Sequence, residues 1–263
     1  MSVSLSSSYT TQVICLKSIE FGDSDKILTV YSPDYGKLGL IVKGVKKPKS
    51  KLAGAAELLS VSQVHCHKGK SLDVLVQYEP QEQFFHLRQD LLRLAYGLLF
   101  GELLLHTVAE GGGDCHEYFA GAVQALQKLN THPDLLIVPT AISSQLNWLR
   151  LTGYQPVLDQ CIFTGDSLDT SRLYHCFSPS LGGATTPEEK HRHTAVQDWI
   201  NVSSKTLLLL QNPSQNRYPD NVLKAQKFLQ FYADFVFGKT LQSFALILAL
   251  LSQNEPIPPA LPE

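Results

Sequence analysis

No stretch of this chain is apolar for long enough to cross a bilayer. The longest runs, FALILALL (Phe244–Leu251) and TLLLLQ (Thr206–Gln211), fall far short of the roughly 20 residues that a spanning helix needs. A disulfide framework is missing as well: the five cysteines, Cys15, Cys66, Cys115, Cys161 and Cys176, are odd in number and irregularly spaced. No charged-then-apolar leader opens the chain, and its Ser-rich first eight residues read as a loose tail. These absences predict a soluble, cytoplasmic protein of a reducing compartment, with no membrane among its partners.

Catalytic signatures are absent too. The sequence holds no GxxxxGK[ST], HExxH, GxSxG or GxGxxG. GGGD (Gly111–Asp114) falls between two expected helices and so lacks the strand-then-helix setting of a phosphate loop. The nine histidines are scattered, and His65 with His67 alternate along one expected strand, as surface or satisfied core residues do. The expectation is a protein that binds rather than transforms, without a cofactor.

Acid is missing from one place in particular. GKLGLIVKGVKKPKSKLAGA (Gly36–Ala55) carries six lysines, Lys37, Lys43, Lys46, Lys47, Lys49 and Lys51, and no Asp or Glu. Yet the whole chain is slightly acidic, with 22 Lys+Arg against 24 Asp+Glu. Residues 1–80 hold ten lysines against seven acids, whereas residues 81–263 hold twelve basic groups against seventeen acids. A basic front on an acidic body points to an anionic partner for the front. Closely spaced ammoniums neutralise phosphates and release counterions from nucleic acid. Lys17 and Lys26, on expected strands, are further candidates, and Tyr31 and Tyr35 are candidate stacking surfaces. The plainer alternative is a solvated loop rich in lysine.

Elements follow from period. Thr10–Ile19, Lys26–Ser32, Lys37–Gly44, Ser60–His67 and Leu72–Glu79 are short, β-branched and separated by turn chemistry. Five such strands with one long basic connection predict a small closed barrel, an OB-fold, although an SH3-like barrel would read almost the same. From about Arg88 apolar residues recur at helical spacing. Helices are expected from Leu87 to Glu110, with Asp114 as a cap for the next, then over 117–129, 135–154, 194–211, 221–238 and 240–253. Residues 156–190 lose all periodicity and mark a local subdomain, and PIPPALPE at the end reads as disordered. The fold class is α+β: an OB-fold domain over 1–84, a helical domain over 85–254 with the 156–190 insertion, and a Pro-rich tail over 255–263.

Several ordered motifs resemble a known family, the bacterial recombination mediator RecO. They are GDSDKI (Gly22–Ile27), Tyr35-Gly36-Lys37, Lys43-Gly44 and the KSKLAGA that ends the basic loop. LLRLAYGLLFGELL and LNWLRLTGYQPVLDQC follow in the helical part, and FVFGKTLQS (Phe235–Ser243) near its end. The resemblance implies an amino-terminal OB-fold, a helical domain and a role in RecF-pathway repair. It implies binding of single- and double-stranded DNA, annealing of complementary strands, and binding of the acidic C-terminal tail of single-strand-binding protein (SSB). It further implies work with RecR to load RecA on SSB-coated strands, without nucleotide and without covalent chemistry. An acidic tail ending in an apolar residue needs an apolar pocket rimmed by cations; the candidates are Arg88, Arg93, Arg150, Lys224, Lys227 and Lys239.

One departure bears on metal. Many family members hold zinc with four cysteines, in CxxCG and then FSPxxGGxxCxxC. Here the frame persists as CIFTG (Cys161–Gly165) and FSPSLGGATTPEE (Phe177–Glu189), but Thr164, Thr186 and Glu189 stand at three of the four ligand positions. The expectation is a zinc-free version of that subdomain. The rival reading for the whole chain is an OB-type RNA- or oligosaccharide-binding module fused to a helical interaction domain; a third is a scaffold with no nucleic-acid affinity.

Overall fold

Two-residue alternation, interrupted by a bulge in the first strand, sends one side of each early strand into a common interior. In the computed structural model, described for residues 8–107, 115–214 and 219–253, the strands are β1 (Ser8–Phe21), β2 (Asp25–Ser32), β3 (Gly36–Val42), β4 (Val61–His67) and β5 (Asp73–Glu82). They close a barrel in the order β1-β2-β3-β5-β4, with β3 and β5 parallel and the other pairs antiparallel. This is the strand order of the OB-fold. Val13, Cys15, Leu28, Val30, Leu40, Val42, Val64, Cys66 and Leu75 fill the interior. A register shift between Cys15 and Lys17 lets β1 bend around it. The Ser-rich start, GGGD with Asp114, and the Pro-rich tail lie outside the described residues.

The chain divides into two compact units, Met1–Thr131 and His132–Glu263. In the first, α1 (Phe85–Gln89), α2 (Leu91–Thr107) and α3 (Cys115–Thr131) pack with the barrel. The sequence predicts one helix where α1 and α2 stand. It breaks at Asp90, whose carboxylate accepts the Arg93 amide hydrogen at 2.8 Å and so caps α2. Gly97 and Gly101 let α2 approach Leu59 and Leu16 closely.

In the second unit, α4 (Asp134–Leu151) and α7 (Pro219–Phe237) are joined by two buried amides, Gln145 and Gln226, each donating to the other's oxygen. A small sheet, β6 (Tyr174–Ser178) between β7 (Gly183–Thr185) and β8 (Ile200–Ser203), sets Phe177 against Phe228 and Tyr232 of α7. α5 (Pro187–Arg192), α6 (Ser204–Gln211) and α8 (Ser243–Gln253) complete it. Residues 194–203 are not helical, against the sequence expectation. Ile200 and Val202 suit a strand, and β8 pairs with β6 before Ser203 caps α6 by accepting the Thr206 amide. Among the described residues no helix is long and apolar enough to cross a membrane.

Candidate nucleic-acid interface

The basic loop leaves the barrel at the end of β3 and is pinned to the turn between β1 and β2. Gly44 takes φ +65°, a left-handed conformation that glycine adopts without strain. Its amide donates to Asp25 Oδ1 at 2.7 Å, and the Lys46 amide donates to the Ser24 carbonyl at 3.0 Å. The hydrogen bond from Gly44 is the chief reason the Asp25 carboxyl sits below its ordinary range; the Ser24 hydroxyl and the Lys43 and Lys47 ammoniums act in the same direction. Two of the quoted motifs, GDSDKI and Lys43-Gly44, therefore meet at one hydrogen bond.

The pinned loop presents its lysines to solvent. Lys43, Lys46, Lys47, Lys49 and Lys51 are exposed. Lys46 pairs with Glu20 at 3.1 Å, a surface ion pair worth about 0–1 kcal/mol that a phosphate can replace. Lys51 also lines a cleft of about 460 Å³ with Thr10, Gln63, His65, Tyr78 and Glu79. The remaining strand lysines diverge. Lys17 is exposed, in register with Thr29 on the outer face. Lys26 is half-buried and shares the inward alternation of Leu28 and Val30. Lys37 is exposed at the start of β3, about 20 Å along the strand from Lys43.

Of the two tyrosines, Tyr31 is wholly buried and carries no stacking surface. It faces α3, and burial is the main reason its hydroxyl resists ionisation. Tyr35 is exposed and leans on the ring of Tyr9, centroids 4.6 Å apart. Lys68 and Lys70 are not among the sequence candidates. Both are exposed on the β4–β5 loop, one of the two loops with which OB-folds grip oligonucleotides. The KGKS turn was visible in the sequence; its place in the barrel needed the strand order.

The six cations proposed for an acidic tail do not form one cluster within either unit. Arg88 and Arg93 belong to the first unit, the other four to the second. Arg88 pairs with Glu57 at 2.6 Å. Arg93 is only 7 % exposed and donates to the Leu129 carbonyl at 2.6 Å, so it fastens α2 to α3 and cannot rim a surface pocket. Arg150 donates to Asn147 on its own helix. Lys224 and Lys227 do share a face. With Phe231 and Phe235, 39 % and 49 % exposed, they form a solvent-facing stripe of α7 at spacings of three and four residues. Lys239 is exposed beyond its end.

The four positions of the family's metal frame do not fit zinc. The Cys161 thiol meets the Thr185 hydroxyl at 3.1 Å. Burial pushes that thiol up, but hydrogen bonds from Thr185, Thr164 and the amides of residues 163 and 164 outweigh it and hold the thiol below its ordinary value. Thr164 and Thr186 offer only hydroxyls, and the Thr186 side chain caps α5 by accepting the Glu189 amide. Glu189 pairs with Arg192. His193 stacks flat on Phe163, 3.6 Å between centroids. Among the described residues no group of three or more His, Cys, Asp or Glu could hold a metal ion.

Comparison with known proteins agrees with this architecture. Residues 5–84 match the family model "Recombination protein O N terminal", and residues 88–243 match "Recombination protein O C terminal". The DNA repair protein RecO of Desulfitobacterium hafniense is 32 % identical over 248 residues, covering 90 % of this chain and 88 % of that one. The protein of the same name from Synechococcus elongatus is 31 % identical over 260 residues, with 94 % and 97 % covered. That of Synechocystis is 29 % identical over 266 residues, with 92 % and 97 % covered. The first match spans the OB-fold barrel and the second begins inside α1, so this chain belongs to the recombination protein O family of DNA repair proteins.

Proposed function

We propose that the chain is a recombination mediator of the RecF pathway, acting in the cytoplasm at the nucleoid. Its barrel domain, residues 1–84, grips the phosphate backbone of single- and double-stranded DNA through the lysine loop, Lys43 to Lys51, helped by Lys17, Lys37, Lys68 and Lys70. Lysines on phosphate carry no sequence information, so binding is tolerant of sequence, as repair at arbitrary gaps requires. Neutralising two strands at once lowers their mutual repulsion and lets complementary bases meet, which is annealing. The helical domain, residues 85–254, takes the acidic C-terminal tail of SSB on the Lys224–Lys227–Phe231–Phe235 stripe and meets RecR; together they help load RecA on SSB-coated strands. The insertion at 156–190 keeps its shape without zinc. No nucleotide is consumed and no covalent bond is broken.

The observation that carries this reading is the lysine loop pinned by Asp25 to the barrel of a chain in this family. Fluorescence anisotropy of labelled single and double strands over a salt series tests it. Binding of both should weaken steeply with salt, since each lysine on a phosphate releases a counterion. No affinity at low salt, or affinity indifferent to salt, would refute it.

A further inference from the structure

The outer face of the barrel carries an apolar strip whose end on β1 is open to solvent. Residues directly opposite in a sheet share a face. Ile19 stands opposite Ile27, Ile27 opposite Ile41, and Ile41 opposite Val74, so one row runs across β1, β2, β3 and β5. Phe21 lies two residues further along β1 on the same face, opposite Asp25. Ile19 is 45 % exposed and Phe21 51 %. Ile27, Ile41 and Val74 behind them are half-buried. A single exposed apolar residue is ordinary, but two exposed side chains at the end of a contiguous apolar row form a patch.

The neighbours of the strip say what suits it. Lys17 flanks it on the Thr29 side, and Lys43 and Lys47 stand near enough to Asp25, the partner of Phe21, to act on its charge. Lys46 pairs with Glu20, which alternates to the other face of β1 opposite Lys26, so Lys46 stands off the strip. An apolar strip bordered by cations on both sides fits a ligand with a chain of negative charges and exposed flat apolar faces. A single strand of nucleic acid has both; a duplex hides its bases.

We propose that Phe21 and Ile19, with the row behind them, form a platform on which the bases of a single strand rest while Lys17, Lys43 and Lys47 hold its phosphates. This deepens the reading of the barrel as a DNA-binding domain and rests on it. Base stacking on an aromatic contributes about 1–3 kcal/mol per base, whereas the lysines act on either form of DNA. The strip is therefore what makes the barrel favour single strands over duplex.

The test compares the full-length protein with Phe21→Ala, and with Ile19→Ala as a second variant, on a labelled oligothymidine strand and on a labelled duplex. Both residues are about half exposed, so neither change empties the barrel core, and thermal melting confirms the fold. Single-strand affinity of Phe21→Ala should fall about 5- to 150-fold, with the salt slope and the duplex affinity unchanged. A Phe21→Trp variant should keep single-strand affinity, and its added fluorescence should be quenched by the single strand but not by the duplex. Equal losses on both forms would overturn the platform, because the change would then have disturbed phosphate binding. No loss on either form would overturn it too and would leave the strip to a protein partner. If the unaltered protein fails to bind either form at low salt, the DNA-binding reading itself is wrong, an outcome distinct from both.

Discussion

At the scale of single residues, Asp25 explains why a short motif in a turn is tied to a loop some twenty residues later. Its carboxylate holds the Gly44 amide, and that bond depresses its pKa. A depressed carboxyl contributes stability that is fully present above the unfolded value, about 3.9, and is lost as pH falls through the lowered folded value. Hydrogen exchange at Gly44 should therefore stay protected down to about pH 4 and lose protection below it. In Asp25→Ala protection should already be low at neutral pH; an equally protected Gly44 amide in that variant would show that the loop is held by something else. Cys161 gives a second residue-level outcome. A thiolate site needs its full set of donors, and threonine supplies no anionic sulfur. Elemental analysis of protein purified without chelator should find well under one zinc per chain, unchanged by Cys161→Ser. Stoichiometric zinc lost in that variant would overturn this.

At the scale of elements, the lysine loop and α7 should act separately, because they lie in different units. Replacing Lys46, Lys47, Lys49 and Lys51 with alanine should weaken binding to all sequences alike. The log–log salt slope on single strands should flatten by about 0.7 for each of these lysines that touches a phosphate; an unchanged slope removes the loop from the interface. Reversing Lys224 and Lys227 to glutamate should abolish binding of a peptide copying the SSB tail while bare-DNA affinity stays as it was. Peptide binding that survives the reversal places the receptor elsewhere. The loop was legible in the sequence because its signal is local: lysines without acids between glycines. The pocket cations were not legible, because burial decides them. Arg93 looks like any helical arginine until Leu129 is found against its guanidinium, and the α7 stripe emerges only when Phe231 and Phe235 prove to face solvent.

At the scale of the whole molecule, the barrel was readable from alternation, since most of each strand sends alternate residues into one core. Residues 194–203 read as helix in the sequence, whereas pairing with β6, a contact distant in sequence, decides the conformation of Ile200–Ser203. Likewise Tyr31 sits on the outward parity of β2, where a solvent-facing ring would be expected, and only helix packing buries it. The central claim is that one chain joins sequence-tolerant DNA binding to recognition of SSB, and so anneals strands that SSB covers. The direct measurement is annealing of complementary strands coated with the cognate SSB, in the absence of ATP, by the unaltered protein and by the two grouped variants. The account predicts rapid annealing by the unaltered protein. It predicts failure on both bare and coated strands for the lysine-loop variant, and failure on coated strands alone for the α7 reversal. No annealing of coated strands by the unaltered protein, or a requirement for ATP, would contradict it.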